Sequence, residues 1–335
     1  MAKYISTVRE CREKIVSGGL VAFPTETVYG LGGNAFDPNA IASIFETKGR
    51  PANDPLIVHL PFWEKARDLL VLNKLQNEMF IILANKYWPG PLTMVGPAIK
   101  KIPDSVTSGT GWVGVRCPDH PVAQKFLREC DLPIAAPSAN RFSHVSPTTP
   151  EHVMKDLGEH AIFILRCGDD KPCDRGVEST VIRLEEDGSL TILRRGAISE
   201  FDIRQIVEVK VAENILSKTQ KYDAPGMMLK HYAPDGLEVT LVKADISDTL
   251  LKNYGILDFG GILRTYRQNA VWYYDLSEKG DTKEACQNLF CKLREAEDKN
   301  MDRLFLPYLV NSESAESSLH NTLADKFYRA SGGKF

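Results

Sequence analysis

The chain has 335 residues, 43% hydrophobic and 25% charged, which is material for two ordinary globular cores rather than one. A formal net charge of −3 excludes a generally basic nucleic-acid binder, so any nucleic-acid contact would need a local patch. Seven scattered cysteines lack zinc-ligand spacing and read as reduced thiols, the N-terminus has no apolar signal core, and no run reaches the ~18 apolar residues of a membrane span; a cytoplasmic protein is expected.

The first predicted element is an amphipathic helix over residues 6–17, capped at Ser6 or Thr7 and stopped by Gly18-Gly19. Leu20-Val-Ala-Phe23 is a short apolar strand running into the Pro24 turn. A helix over 39–48 presents Ile41, Ile44 and Phe45 on one face, 55–60 is a buried strand, and 63–87 carries one or two helices. Further strands are expected at 113–116, 134–136, 161–165, 179–183 and 190–193. This mixture predicts an α/β domain with a mixed sheet over residues 1–208. Residues 209–236, with prolines, glycines and little periodicity, read as a linker or functional loop. Strands at 237–242, 254–259 and 270–274 and helices at 281–299 and 315–330 then predict a second domain, 237–335, with a small parallel sheet covered by helices. It has no Gly-x-Gly-x-x-Gly turn, so a Rossmann-like shape there implies no dinucleotide.

The densest chemistry lies in Lys48-Gly-Arg-Pro-Ala-Asn-Asp-Pro-Leu-Ile-Val-His59, read with Phe23-Pro-Thr-Glu-Thr-Val-Tyr-Gly-Leu-Gly32 upstream. A lone Lys-x-Arg at a helix end ordinarily neutralises the helix dipole. Here Gly49 permits close backbone approach and Pro51 fixes the exit, so Lys48 and Arg50 can converge on one anion. Arg116, Arg194 and Arg195 end short apolar strands, where arginines often face solvent but where α/β proteins also place ligands. Pro137-Ser-Ala-Asn140, Ser146 and Gly176-Val-Glu-Ser-Thr180 supply small hydroxyl and amide groups after buried strands, suited either to turns or to a phosphate or ribose cradle. There is no P-loop, and Ser138 and Ser179 lack a local triad partner, which argues against covalent serine catalysis. His59 closes a buried strand, where a histidine is commonly a satisfied core residue.

With these segments in order, the chain resembles the YrdC-like family in its longer, two-domain threonylcarbamoyl-AMP synthase form. The resemblance runs through Phe23–Gly32, Lys48-Gly-Arg-Pro51, Pro55-Leu-Ile-Val-His59, Trp88-Pro-Gly-Pro-Leu-Thr93, Val113-Gly-Val-Arg-Cys-Pro118, Ala136-Pro-Ser-Ala-Asn140, Ser146-Pro-Thr148, Gly176-Val-Glu-Ser-Thr-Val-Ile182 and Leu193-Arg-Arg-Gly-Ala-Ile198. Ala224-Pro-Gly-Met and His231-Tyr-Ala-Pro234 look like its linker, and 323–330 more loosely like its last helix. The resemblance implies a twisted mixed sheet with a concave, positively charged cavity and a smaller Rossmann-like α/β domain. It implies a reaction: L-threonine, bicarbonate and ATP, with Mg²⁺ carried mainly by ATP, give threonylcarbamoyl-AMP and pyrophosphate. Downstream threonylcarbamoyl transferase proteins then modify a tRNA adenosine, which leaves room for a weak tRNA contact.

By motif position, Thr27, His59, Arg116 and Ser179 would hold threonine. Arg50, Asp54, Ser138, Asn140, Ser146 and Arg194 would hold ATP, with Lys48 beside the phosphates, and Lys48 and Arg50 would be catalytic. His231 and Tyr232 would close over the nucleotide. The chain departs from the family at Asp54, often asparagine, which puts a carboxylate near the phosphates, and at Trp112, often threonine, which either stacks on adenine or packs. Arg141-Phe-Ser-His-Val145 replaces a Ser-Gly pattern, and Met228-Leu229 replace more polar linker residues. The rival reading is a double-stranded RNA or tRNA-binding module using the same cavity; scattered cations and a negative net charge argue against it. Relatives that use carbamoyl phosphate carry further catalytic domains, for which 335 residues leave no room.

Overall fold

A computed structural model describes residues 1–166, 173–207, 209–211, 232–243, 246, 253–311 and 319–335. The chain opens with β1 (Lys3–Ile5), α1 (Val8–Val16), β2 (Val21–Phe23) and β3 (Gly30–Asn34). Thr7 caps α1 by accepting from the Glu10 N–H, and Gly18 ends the turn at φ +82°. α2 (Pro38–Lys48) starts on an Asp37 cap with Pro38 in its first turn and stops at Gly49 in the left-handed region. Next come β4 (Ile57–His59), α3 (Trp63–Arg67), α4 (Lys74–Tyr87), β5 (Leu92–Pro97), α5 (Asp104–Thr107) and β6 (Trp112–Arg116). Then follow α6 (Pro121–Cys130), β7 (Ile134–Ala135), α7 (Pro150–Leu157), β8 (Phe163–Leu165), β9 (Thr180–Leu184), β10 (Leu190–Arg194), α8 (Glu200–Arg204) and β11 (Val209–Val211).

Among the described residues these strands form one mixed sheet in the order β1-β8-β2-β3-β7-β4-β6-β5-β9-β10-β11. The strand period of two puts successive side chains on opposite faces. Val21 and Phe23 join Ile15, Phe126 and Leu127 on one side, while Ala22 between them joins Leu31, Ile41, Ile44 and Phe80 on the other. The stretch expected to be linker begins as a strand, because β11 pairs parallel with β10.

The second sheet is wholly parallel, in the order β12 (Glu238–Val242), β15 (Arg303–Pro307), β13 (Tyr254–Asp258), β14 (Trp272–Asp275). α9 (Thr282–Glu297), capped by Asp281, and α10 (His320–Ala330) pack on it through Leu289, Phe290, Leu293, Leu323 and Phe327. That apolar cluster also takes in Val28, Val145 and Val177 of the first unit, so the two sheets share one buried seam. Burying such side chains contributes roughly 1.5–3 kcal/mol each.

Candidate active site

The large sheet gathers its polar residues at strand ends. Thr25, Thr27 and Gly30 come from the β2–β3 hairpin, His59 from β4, Arg116 from β6, Ser138 from beyond β7, Glu178 and Ser179 from the approach to β9, Arg194 from β10, and Arg50 from the loop after α2; all line one cavity. Sheet register does much of this placing. Parallel pairing of β4 with β6 sets His59 beside Arg116, and a bridge joins Gly30 to Ser138. So seven of the expected residues, Thr27, Arg50, His59, Arg116, Ser138, Ser179 and Arg194, meet on one wall.

Most of the charged and hydroxyl groups there are held by a second group. Arg116 donates to Glu26 Oε1 at 2.6 Å, an ion pair with both side chains about 5% exposed or less. Glu26 would be structural in most proteins at this turn; here it orients that guanidinium. His59 Nδ1 lies 3.2 Å from the Ile57 carbonyl. Burial and the neighbouring Arg116 charge push its pKa down to about 3, so the imidazole is neutral at physiological pH. Thr27 Oγ1 is 2.8 Å from Thr25 Oγ1. Ser179 Oγ stands 2.8 Å from Thr93 Oγ1 and accepts from Arg194 at 3.0 Å, and the same guanidinium donates to the Ser179 carbonyl.

Arg50 donates from Nε to the Asp54 carbonyl at 3.0 Å and from Nη2 to the Pro55 carbonyl at 2.8 Å, and the same Nη2 lies 2.9 Å from the Asp54 carboxylate. Neither Asp54 oxygen accepts a well-aligned hydrogen bond, so this contact is charge pairing by distance. Burial raises the Asp54 pKa against the pull of Arg50, Lys48 and Arg194. Asp54 therefore sits behind Arg50 rather than on the cavity wall.

The remaining expected residues occupy other places. Lys48, expected beside the phosphates, runs beneath the Ser138–Asn140 turn, and its Nζ donates to the carbonyls of both residues. Burial and Arg50 push its pKa well down. Asn140 braces the following loop, donating to the carbonyls of Arg141 and His144 at 2.8 Å. Ser146 donates to Glu178 Oε1 at 2.6 Å. Tyr232, expected over the nucleotide, is buried in the second domain, stacked on Phe290 at 5.1 Å with its hydroxyl 3.2 Å from Lys326 Nζ. His231, Met228 and Leu229 lie outside the described residues. Trp112 packs near Ile57, Val95, Val181 and Leu193, with the Arg183 guanidinium over its ring.

Sequence reasoning assigns no role to Glu178, Thr93 or Lys326, although Glu178 lies inside the Gly176–Thr180 motif that signals the cradle. It also misses the junction at His144. That imidazole lies between Asp156 of α7 at 2.8 Å and Glu297 of α9 at 2.9 Å, and Arg294 of α9 grips Asp156 with two nitrogens at 3.0 and 2.8 Å.

Comparison with known proteins gives this geometry a context. Residues 13–196 match the family model described as Sua5, YciO and YrdC, telomere recombination, and residues 198–332 match the threonylcarbamoyl-AMP synthase C-terminal domain. A threonylcarbamoyl-AMP synthase of Pyrococcus abyssi is 37% identical, over 95% of this chain and 92% of that protein. One of Bacillus subtilis is 32% identical, over 94% and 90%. The crystal structure of P. abyssi Sua5 complexed with L-threonine superposes with a TM-score of 0.83 at 33% identity, covering 100% of this chain and 98% of that one. E. coli YciO shares the fold of the first unit, with a TM-score of 0.50 at 21% identity over 58% of this chain and 95% of that one. Two family matches in tandem and relatives aligned along nearly their whole length place this chain in the two-domain threonylcarbamoyl-AMP synthase family.

Proposed function

We propose that the cavity binds L-threonine against Arg116 and ATP against Arg50 and Arg194, and joins them with bicarbonate into threonylcarbamoyl-AMP and pyrophosphate. The observation that carries this reading is the convergence of three guanidiniums, from β6, β10 and the loop after α2, on one cavity that also holds hydroxyls and a neutral histidine. A carboxylate and a polyphosphate are the ligands such a set suits, because arginine meets both with paired donors. The relative crystallised with L-threonine supports the first of them.

Threonine's carboxylate would take Arg116, with its hydroxyl and amine near Thr27, His59 and Ser179. The neutral imidazole can accept or donate there without repelling an amine. The amine captures bicarbonate, releasing water, to give a carbamate. A carbamate oxygen then forms a bond to the α-phosphorus, and the bond from that phosphorus to the β-phosphate oxygen breaks with both electrons leaving on pyrophosphate. No covalent enzyme intermediate is required, and the chain's contribution is positioning and charge stabilisation. Ser138 and Arg194 would hold phosphate or ribose oxygens, with Lys48 acting through the turn it ties down.

Mg²⁺ fits this site as part of the ATP complex. The carboxylate among the cavity's lining residues, Glu178, already accepts from Ser146, Glu26 behind the lining is held by Arg116, and Mg²⁺ keeps several waters beside phosphate oxygens. When bound it would neutralise phosphate charge. The product would pass to threonylcarbamoyl transferases for tRNA modification. Incubation with ¹³C-bicarbonate, L-threonine and MgATP should give labelled threonylcarbamoyl-AMP by mass spectrometry; its absence over intact ATP would overturn the reading.

A further inference from the structure

The second domain places a cation behind the cavity wall. Lys326 of α10 is buried, and its Nζ donates to the Arg195 carbonyl at 3.0 Å and to the Tyr232 hydroxyl at 3.2 Å. The same Nζ stands 3.6 Å from Glu178 Oε2 and 3.7 Å from Asp325 Oδ2. Asp325 is already held by Arg329, which reaches both of its oxygens at 3.0 Å, so the ammonium charge falls chiefly to Glu178. Glu178 lines the cavity together with Arg50 and Arg194, and its other oxygen accepts from Ser146.

The backbone around Glu178 is locked to the same domain. A Cβ on Gly176, whose φ is +66°, would fall 2.4 Å from the carbonyl oxygens of Cys286 and Gln287 in α9. A Cβ on Gly196 would fall 2.4 Å from the Glu178 carbonyl oxygen, and Thr322 of α10 donates to the Gly196 carbonyl at 3.0 Å. Two cavity loops are thus pressed together and onto α9 and α10 at positions that admit no side chain.

A carboxylate on this wall conflicts with polyphosphate binding. It repels phosphate and competes for arginine, and a buried carboxylate is tolerable only while paired. We propose that Lys326 is a positioning residue for the reaction: it pairs with Glu178 from behind and so keeps that carboxylate from competing with ATP for Arg194. The second domain thereby sets the charge of a site whose walls belong to the first. This rests on the reading of Arg194 as an ATP contact.

The test measures pyrophosphate release by the full chain, with KM for ATP and for threonine determined separately. Lys326→Met should raise the ATP KM about tenfold or more while moving the threonine KM little, and Lys326→Arg should restore it. Adding Glu178→Gln to Lys326→Met should recover most of the lost ATP affinity, since the charge needing compensation is gone. An unchanged ATP KM in Lys326→Met overturns the proposal, as does an equal loss for both substrates that Glu178→Gln does not relieve. If Lys326→Met fails to fold, the double variant decides alone: near-wild-type ATP KM supports the proposal, a tenfold loss overturns it. Failure of the wild-type chain to release pyrophosphate would instead strike the assigned reaction, and so is told apart.

Discussion

The carboxylate of Asp54 lies 2.9 Å from the guanidinium of Arg50, four residues before it, and the pair is buried with Arg50 on the cavity wall and Asp54 behind it. The same arginine is also fixed by two backbone carbonyls, so its fork is oriented before any ligand arrives.

Asp54→Asn keeps the shape and removes a negative charge that competes with phosphate for Arg50. The expected outcome is an ATP KM about threefold lower, roughly 0.6 kcal/mol, with the threonine KM unchanged. Steady-state kinetics at fixed threonine check this; a large rise in the ATP KM would mean that Asp54 itself serves the nucleotide.

Arg50→Ala takes away a cavity cation and strands Asp54. Losing one preorganised charged donor at a reacting centre costs about a hundredfold or more in turnover. Pyrophosphate release should fall by at least that factor in protein that circular dichroism shows to be folded. Near-normal turnover removes Arg50 from the ATP site.

Thr93 does not line the cavity itself but reaches it through Ser179, by the 2.8 Å hydroxyl contact. Thr93→Val deletes one hydrogen bond of about 1 kcal/mol, which is about fivefold in affinity. Calorimetric titration of L-threonine should show that loss, and Thr93→Ser should recover it. Equal affinity in Thr93→Val would sever Ser179 from threonine binding.

His144 provides the pH test. Burial lowers its pKa, but hydrogen bonds to Asp156 and Glu297 outweigh burial and leave it raised above 6.5. A group whose pKa is raised by folding contributes stability that is complete below its unfolded value and fades as pH rises through the folded one. The melting-temperature gap between wild type and His144→Gln should therefore be widest near pH 6 and shrink towards pH 9. Lys155, Arg141, Asp235 and Asp298 also surround this junction, so the comparison rests on the difference between the two proteins. A gap that widens with pH contradicts an imidazolium clamp.

Much of the scaffold is legible in local pattern. Thr7, Gly49 and the apolar face of Ile41 and Ile44 announce α1 and α2, and the run ending at His59 announces β4. β3 is not announced, because Gly30-Leu-Gly-Gly-Asn34 has no alternation and few side chains; it is a strand because Phe23 and Ile134 crowd Gly32, where a Cβ would come within 2.9 Å of both. β15 is likewise missed: Leu304, Phe305 and Leu306 form an apolar run too short to show a period.

The ordered motifs point to the residues that share the cavity, but not to how each is held. Lys48 reads as a free cation beside Arg50 until the chain folds the carbonyls of residues 138 and 140 onto it. Tyr232 reads as a lid residue, yet Phe290 and Lys326 enclose it, 58 and 94 positions further on. Such non-local neighbours leave no mark on the residues around them. The role of α10 at the cavity is illegible for the same reason.

The most direct measurement is pyrophosphate release from MgATP with threonine and bicarbonate each omitted in turn. Release that requires both is the predicted result; release at the full rate without threonine would contradict the account.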